Sequence, residues 1–201
     1  MKKKSNLKKY LAEGLLIVFS VLFALFINKA VEDYKTNQNK NIAIKSITKE
    51  LYRNLATLEK WKVKHISIRN RISSMVENKD DSLNVELKRH DYFDFMVLTN
   101  NQPLVNSILS NTAWESSKTT GIISEFDYEM IQELTFVYNV QELLTERTIM
   151  KILDYLDETD THNMENLNST LVQFQLRFWG LTGQEETMIF LYKKAINKLE
   201  E

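Results

Sequence analysis

Residues 2–34 read KKKSNLKKYLAEGLLIVFSVLFALFINKAVEDY, and this stretch sets the organisation of the chain. Five lysines lie among the first nine residues, and no charged residue occurs from Gly14 to Ile27. With its apolar flanks the run covers 11–31, and these 21 residues match the roughly 20 that a helix needs to cross the hydrocarbon core of a bilayer. The pattern predicts a transmembrane helix at 11–31, preceded by a tail at 1–10.

A cleaved secretory signal is the alternative, because it also combines a basic start with an apolar run. Cleavage requires small residues at alternate positions, whereas the run from Ala24 to Ala30 carries mostly large side chains. We therefore expect the segment to stay attached as an anchor. Basic residues are concentrated before the span, which predicts a cytoplasmic N-terminus and places the rest of the chain outside the cytoplasm.

The composition after the tail excludes several functions. Residues 14–201 hold 21 basic and 26 acidic side chains, a net charge of −5, so binding to a phosphate backbone would be repulsive and no nucleic-acid partner is expected. The chain has no cysteine. Disulfides, a thiolate nucleophile and zinc sites built on sulfur are therefore excluded.

Helix breakers are scarce, with four glycines and one proline in 201 residues, which predicts long helices and an all-α fold. The span should continue through a polar neck at 32–43 as one rod into an extracytoplasmic helical bundle at 44–201. The rod's soluble part carries side chains at spacings of three and four, as on one face of a helix. We call these residues the seam: Ile44, Ile47, Leu51, Leu55, Leu58, Trp61, His65, Ile68, Ile72 and Met75.

The later segments are also predicted to be helical, with the rod ending in the charged run at 77–82. A helix or a helix pair is expected within 83–98, and Pro103 is suited to the first turn of the next helix, which Gly121 would end. A capping-box pattern at 124–127 predicts the start of a long helix that continues to Leu156. The last helical unit should break at 180–183, where two glycines occur.

Four side chains form the candidate polar cluster: Asn54, His65, Trp114 and Glu115. His65 and Asn54 lie on or beside the apolar seam, so each needs a hydrogen-bond partner when buried. We expect the four to meet, with Glu115 accepting from His65, in a structural rather than a catalytic role. No catalytic, cofactor-binding or metal-binding motif is recognisable, because the three histidines lack ligand spacing and the glycines are too few for a phosphate loop.

Two motifs give the chain a resemblance to known sequences. Glu50, Asn54, Leu58 and His65 form an E-x-x-x-N-x-x-x-L-x(6)-H stretch, and residues 113–121 form an AWE-x(4)-TG segment. Together with the apolar N-terminus, these motifs resemble a bacterial family of membrane-anchored helical proteins that carry a domain of unknown function. The resemblance covers roughly the first 145 residues. It implies a bacterial inner membrane and a helical architecture, and it implies no reaction.

The expected function is that of a single-pass, membrane-anchored scaffold or interaction module in the bacterial envelope. Besides membrane lipid, its partner would be another membrane or envelope protein or a second copy of the chain, since the seam is long enough for coiled-coil pairing. The alternatives are a hydrolase-like envelope enzyme and a ligand-sensing domain. Both would use a polar pocket around His65.

Overall fold

The computed structural model describes residues 3–77 and 81–200. Its first element is a single helix, α1 (Lys3–Val76), of 74 residues. The prediction of one uninterrupted rod through the apolar run and the neck is confirmed, as is its end near residue 77. Gly14 does not interrupt the helix, since one glycine costs only about 1 kcal/mol of helix stability relative to alanine.

Six shorter helices follow in the part of the chain that the structure describes: α2 (Asp81–Leu87), α3 (Phe95–Thr99), α4 (Thr112–Thr119), α5 (Tyr128–Glu142), α6 (Met150–Asp157) and α7 (Leu167–Glu200). A π-helical segment, Leu143–Ile149, joins α5 to α6 without a loop, and three 3₁₀ turns lie at Ile122–Glu125, Thr159–His162 and Met164–Asn166. Within the described residues the only β-type pairing is one isolated bridge between Tyr92 and Asn163. The fold is therefore all-α, as predicted.

The core forms where α7 packs antiparallel against the second half of α1. The α1 seam supplies one side, and every seam residue except Ile44 and Leu55 is at least 97% buried. The facing side chains of α7 are buried as well: Phe174, Phe178, Leu181, Thr182, Glu185, Met188 and Tyr192. Because its own chain covers the seam, the seam is not free to pair with another protein.

The helix predicted from Pro103 to Gly121 is wrong in its first half. Residues 102–111 form an extended segment, and helix begins only at Thr112. We call 102–111 the strap, because it lies along α1. Side chains of α1 bind its backbone groups, which satisfies these donors and acceptors outside a helix and so overrides the local helical preference.

Two other boundaries differ from prediction. Helix α7 continues through Gly180 and Gly183, whose missing side chains would point into open space, so nothing in the packing requires a break there. The capping box at Ser124 is absent, because that hydroxyl donates to Gly121 O and α5 begins at Tyr128. Of the helix or helix pair expected within 83–98, the structure has the pair, since residues 88–94 form turns and extended backbone between two short helices.

The first half of α1 has no packing partner within the described residues. Every side chain from Lys8 to Lys35 is exposed, including the whole apolar run. None of the most apolar 18-residue window of this helix is buried, and its length and composition suffice to cross a membrane. One continuous helix therefore has an uncovered apolar end and a buried end.

Candidate functional site

The first polar network joins α1 to the strap and to the start of α4. The Glu50 carboxylate accepts hydrogen bonds from Ser110 Oγ at 2.7 Å, Ala113 N at 2.9 Å and Tyr138 OH at 2.7 Å. Ala113 N is one of the first backbone donors of α4, which have no partner within the helix. Asn111, at the N-cap position, makes no side-chain cap. Glu50 thus caps α4 from a different helix.

Asn54 lies one turn further along α1 and holds the strap by both of its amide atoms. Its Oδ1 accepts from Ser110 N at 2.9 Å, and its Nδ2 donates to Ser110 O at 2.7 Å. The same Nδ2 donates to Gln141 Oε1 at 3.1 Å, and that oxygen also accepts from Tyr192 OH at 2.7 Å. An amide that matches a donor and an acceptor of one residue fixes the register of the strap on α1.

Two tyrosines of this network are held in their neutral form. Burial, followed by the charge of the nearby Glu50 carboxylate, raises the pKa of Tyr138 well above its ordinary value of 10.0. Burial is also the main cause that raises the pKa of Tyr192. Trp114 covers Tyr138, with ring centroids 5.4 Å apart and planes inclined by 5°. Both hydroxyls therefore serve as hydrogen-bond donors rather than as bases.

The second network centres on His65 and a glutamate of α7 that lies 120 residues away along the chain. His65 Nδ1 is 2.6 Å from Glu185 Oε1, and Nε2 is 2.9 Å from Leu104 O. The side chains of His65 and Glu185 are both fully buried. A carbonyl only accepts, so Nε2 carries a hydrogen, and one further proton lies between Nδ1 and Glu185. The remaining oxygen, Glu185 Oε2, has no hydrogen-bond partner among the described residues.

Other α1 side chains fasten the strap and the residues before it. Lys64 Nζ donates to Pro103 O at 2.7 Å, Trp61 Nε1 donates to Asn106 Oδ1 at 3.3 Å, and Arg71 donates to Asn100 Oδ1. Burial lowers the pKa of Lys64, although the nearby charge of Glu185 acts in the opposite direction. Contacts from Glu50 to Arg71 thus follow the strap along about 32 Å of α1, at 1.5 Å per residue.

The predicted four-residue cluster is not assembled as one site. Asn54 and Trp114 belong to the first network, where Trp114 stacks on Tyr138. His65 belongs to the second, because eleven residues of helix separate it from Asn54 by about 16 Å. Glu115 is half exposed and bonds Lys118 at 2.7 Å. The expected pairing of His65 with Glu115 is wrong, since Glu185 and Leu104 occupy both ring nitrogens.

The remaining histidines also have local roles. His162 bonds Phe93 O at 3.0 Å and Leu156 O at 2.6 Å, and His90 lies against the ring of Tyr92. Across residues 3–77 and 81–200, no group of three His, Asp or Glu side chains is arranged to hold a metal ion.

The chemistry open to the first network is limited because its polar atoms are already hydrogen-bonded. Both Glu50 oxygens accept hydrogen bonds, and the Asn54 amide is used on both sides. An open groove of about 460 Å³ lies beside Glu50 and is lined by Lys49, Arg53 and Thr112, but the carboxylate within it is directed at Ser110 and Ala113. His65 is fully buried between the strap and α7, so no ligand contacts it in this arrangement. The arrangement therefore holds the strap in place.

Sequence reasoning missed Glu185 and Gln141, and it assigned Glu50 no site role. Each of the three follows the apolar spacing of its own helix, with Glu185 between Leu181 and Met188 and Gln141 between Val137 and Leu144. A polar residue at a core position of an amphipathic helix was the available signal. It marks a buried group that needs a partner, but it does not name that partner.

No family model, curated protein or solved structure matches the chain. The fold and the two networks define an all-α protein whose first helix extends, uncovered and apolar, beyond its bundle.

Proposed function

We propose that the protein is a single-pass, membrane-anchored interaction module of the bacterial envelope. In this proposal residues 11–31 span the inner membrane, the lysine-rich tail stays in the cytoplasm, and the bundle from residue 44 lies outside the cytoplasm. The observation that carries the proposal is the contrast within α1. Its residues 11–31 are all exposed, whereas most of its seam is buried.

An uncovered apolar helix of this length is unfavourable in water. Fully burying one large apolar side chain is worth roughly 1.5–3 kcal/mol, and this segment exposes Leu, Ile, Val and Phe around its whole circumference. A bilayer covers all sides of such a helix at once. The five lysines before the span support the orientation, because positive charge is retained on the cytoplasmic side.

A role as an interaction module is supported by what the buried polar groups contact. In the described bundle these groups hold the strap and α4 against α1, and His65, on which the enzymatic and ligand-sensing alternatives depend, is fully buried. The module would present a rigid helical surface at a fixed height above the membrane.

Fractionation and thiol labelling test the anchoring and its orientation. The chain has no cysteine, so Ser5→Cys and Ser107→Cys each introduce a unique thiol. We expect the protein to resist carbonate extraction from membranes. A membrane-impermeant maleimide should label Ser107→Cys in spheroplasts and Ser5→Cys only after lysis. Extraction by carbonate would overturn the anchor, and the inverse labelling would overturn the orientation.

A further inference from the structure

We propose that copies of this chain assemble side by side in the membrane, with the basic side of α1 in one copy against the acidic start of α5 in the next. This inference rests on the membrane anchoring proposed above and names the partner of the module. Residues 34–64 hold eight basic and two acidic side chains, a net charge of +6. Residues 122–146 hold six acidic and no basic side chains, a net charge of −6. The chain therefore carries opposite charges on two separate elements.

The basic side chains of α1 point away from its packing partners. We call four of them the basic ridge: Lys45, Lys49, Arg53 and Lys60. They are spaced by four or seven residues, so they lie together on the side of the helix opposite the seam. All four are exposed, and none is in an ion pair within the described residues. Like charges four residues apart on a helix repel each other, and an acidic partner alongside would relieve that repulsion.

The acidic side chains of the second element surround the start of α5. We call three of them the acidic patch: Glu125, Asp127 and Glu129. All three are exposed, and the first two have no ion-pair partner among the described residues. Glu129 lies 3.4 Å from Lys198 Nζ, yet its side chain remains 84% exposed. The patch therefore keeps uncompensated negative charge in contact with water.

The ridge and the patch lie at the same level along α1. Glu129 bonds the last turn of α7, and Leu199 in that turn lines a groove with Lys45 of α1. Ile122, just before the patch, lines a second groove with Ala43. Anchored copies all stand in the membrane with the same orientation. The ridge of one copy can therefore meet the patch of its neighbour without a tilt of either copy.

The two surfaces face opposite sides of the bundle. Helix α1 packs on α7 and on α4, whereas α5 packs on the other side of α7 and its Tyr138 stacks on Trp114 of α4. Helices α4 and α7 thus lie between α1 and α5. One copy cannot bring its ridge onto its own patch. Contact between neighbours uses two different surfaces, so it repeats from copy to copy as a ring or a row.

A tyrosine and a groove add an apolar contact to the complementary charges. Tyr128 lies within the acidic patch and is 73% exposed. Beside the ridge, α1 and the end of α7 form an open groove that is lined by apolar side chains of both helices and by Lys45 and Lys49. Tyrosine is enriched among the residues that contribute most to protein interfaces. Docking of Tyr128 in the groove of the next copy would place Asp127 and Glu129 beside these two lysines.

Mixed cysteine cross-linking of the full chain in native membranes tests the contact. Ser46→Cys places a thiol beside the ridge and Ser124→Cys places one beside the patch, and the two variants are co-expressed with different epitope tags. With a short bismaleimide, we expect several-fold more dimer between the two variants than from either variant alone. No mixed dimer would overturn the assembly. Equal linking by Ser46→Cys alone would show a symmetric contact and would overturn it as well.

Charge reversal tests whether the two surfaces recognise each other. Lys45→Glu/Lys49→Glu in the copy that carries the ridge thiol should reduce mixed dimer several-fold. Adding Glu125→Lys/Asp127→Lys to the copy that carries the patch thiol should restore it, because the charges are then complementary again. Restoration also shows that the variants are folded. A loss that the second reversal does not restore would overturn the recognition by charge.

A matched reversal at the other end of the bundle provides the control. Glu158→Lys/Asp160→Lys changes two exposed carboxylates near the start of α7, far from the patch, and should not restore the mixed dimer. Equal restoration by both reversals would overturn the assignment of the patch. A chain that stays in the membrane fraction without mixed cross-linking would refute the assembly alone, whereas a chain released by carbonate would refute the anchoring itself.

Discussion

Glu50, on α1, accepts a hydrogen bond from Ala113 N, the second residue of α4, at 2.9 Å. A cap is normally supplied by the residue just before its own helix. Here a side chain 63 residues earlier in the sequence supplies it, so α4 is completed only when it docks on α1.

Replacing Glu50, the remote cap of α4, should lower the stability of the fold. Glu50→Ala removes the acceptor of three donors, and we expect a loss of about 3 kcal/mol in the free energy of unfolding, since each unsatisfied buried group costs about 1–3 kcal/mol. The measurement is thermal or denaturant unfolding of the detergent-solubilised chain. Glu59→Ala is the matched control, because its half-exposed carboxylate bonds only Lys193 among the described residues. Glu59→Ala should lower the free energy of unfolding by no more than about 1 kcal/mol. Similar losses for Glu50→Ala and Glu59→Ala would contradict the capping role.

The buried pair of His65 and Glu185 should show strong coupling. His65→Leu leaves Glu185 buried without a partner and deprives Leu104 O of its donor, so a loss of about 3–5 kcal/mol is expected. Glu185→Leu should cost less, because the imidazole keeps its bond to Leu104. The double variant His65→Leu/Glu185→Leu should lose less stability than the sum of the two single variants, as measured in a double-mutant cycle. Additive losses would show that the two side chains do not interact.

Alkaline pH should destabilise the bundle through its two buried tyrosines. Their folded-state pKa is raised, so their contribution is complete below the ordinary value of 10.0 and is lost as pH rises above it. Above that value, each tyrosine should lower the free energy of unfolding by about 1.4 kcal/mol per pH unit. Tyr138→Phe should remove one such slope, although it also lowers stability at neutral pH by leaving Glu50 without one donor. Tyr128→Phe, at an exposed tyrosine, controls for loss of one hydroxyl. An unchanged alkaline slope in Tyr138→Phe would count against this account.

Glycine replacements test the continuity of α7. Gly180 and Gly183 lie within the helix with open space where a Cβ would be, so Gly180→Ala and Gly183→Ala should each stabilise by about 0.4–1 kcal/mol. Gly121 has a φ of +74°, and Gly121→Ala should therefore destabilise by about 1–2 kcal/mol. Thermal unfolding of the three variants gives the comparison. Destabilisation by both α7 substitutions would instead support the break predicted at 180–183.

The α1 seam was predictable because periodic spacing reports which face of a helix is buried. Ile47, Leu51 and Leu58 recur at the helical spacing, and all three are fully buried. The length of α1 followed from the absence of breakers. The spacing of the seam and the length of α1 both depend on nearby residues only. They can therefore be predicted without knowing which helix packs on the seam.

The strap could not be predicted in the same way. Leu104, Val105, Ile108 and Leu109 are spaced as on a helix, yet Ser110 and Leu104 bond Asn54 and His65 through their backbones. These contacts join residues 39 to 56 positions apart. Likewise, the imidazole of His65 needed a partner, but Glu115 and Glu185 were equivalent candidates until the path of the chain was known. Non-local contacts of this kind determine where the helix propensity of a segment is overridden.

The antiparallel packing of α7 on α1 also constrains how the chain is made. Glu185 follows His65 by 120 residues. At ribosomal rates of about 5–20 residues per second, the α1 seam is therefore synthesised about 6–24 s before the part of α7 that covers it. Throughout that interval the nascent chain exposes the long apolar seam of α1 in addition to the apolar run at its N-terminal end. Biogenesis of this protein therefore has a period in which aggregation competes with folding, and a chaperone that shields α1 would shorten its exposure.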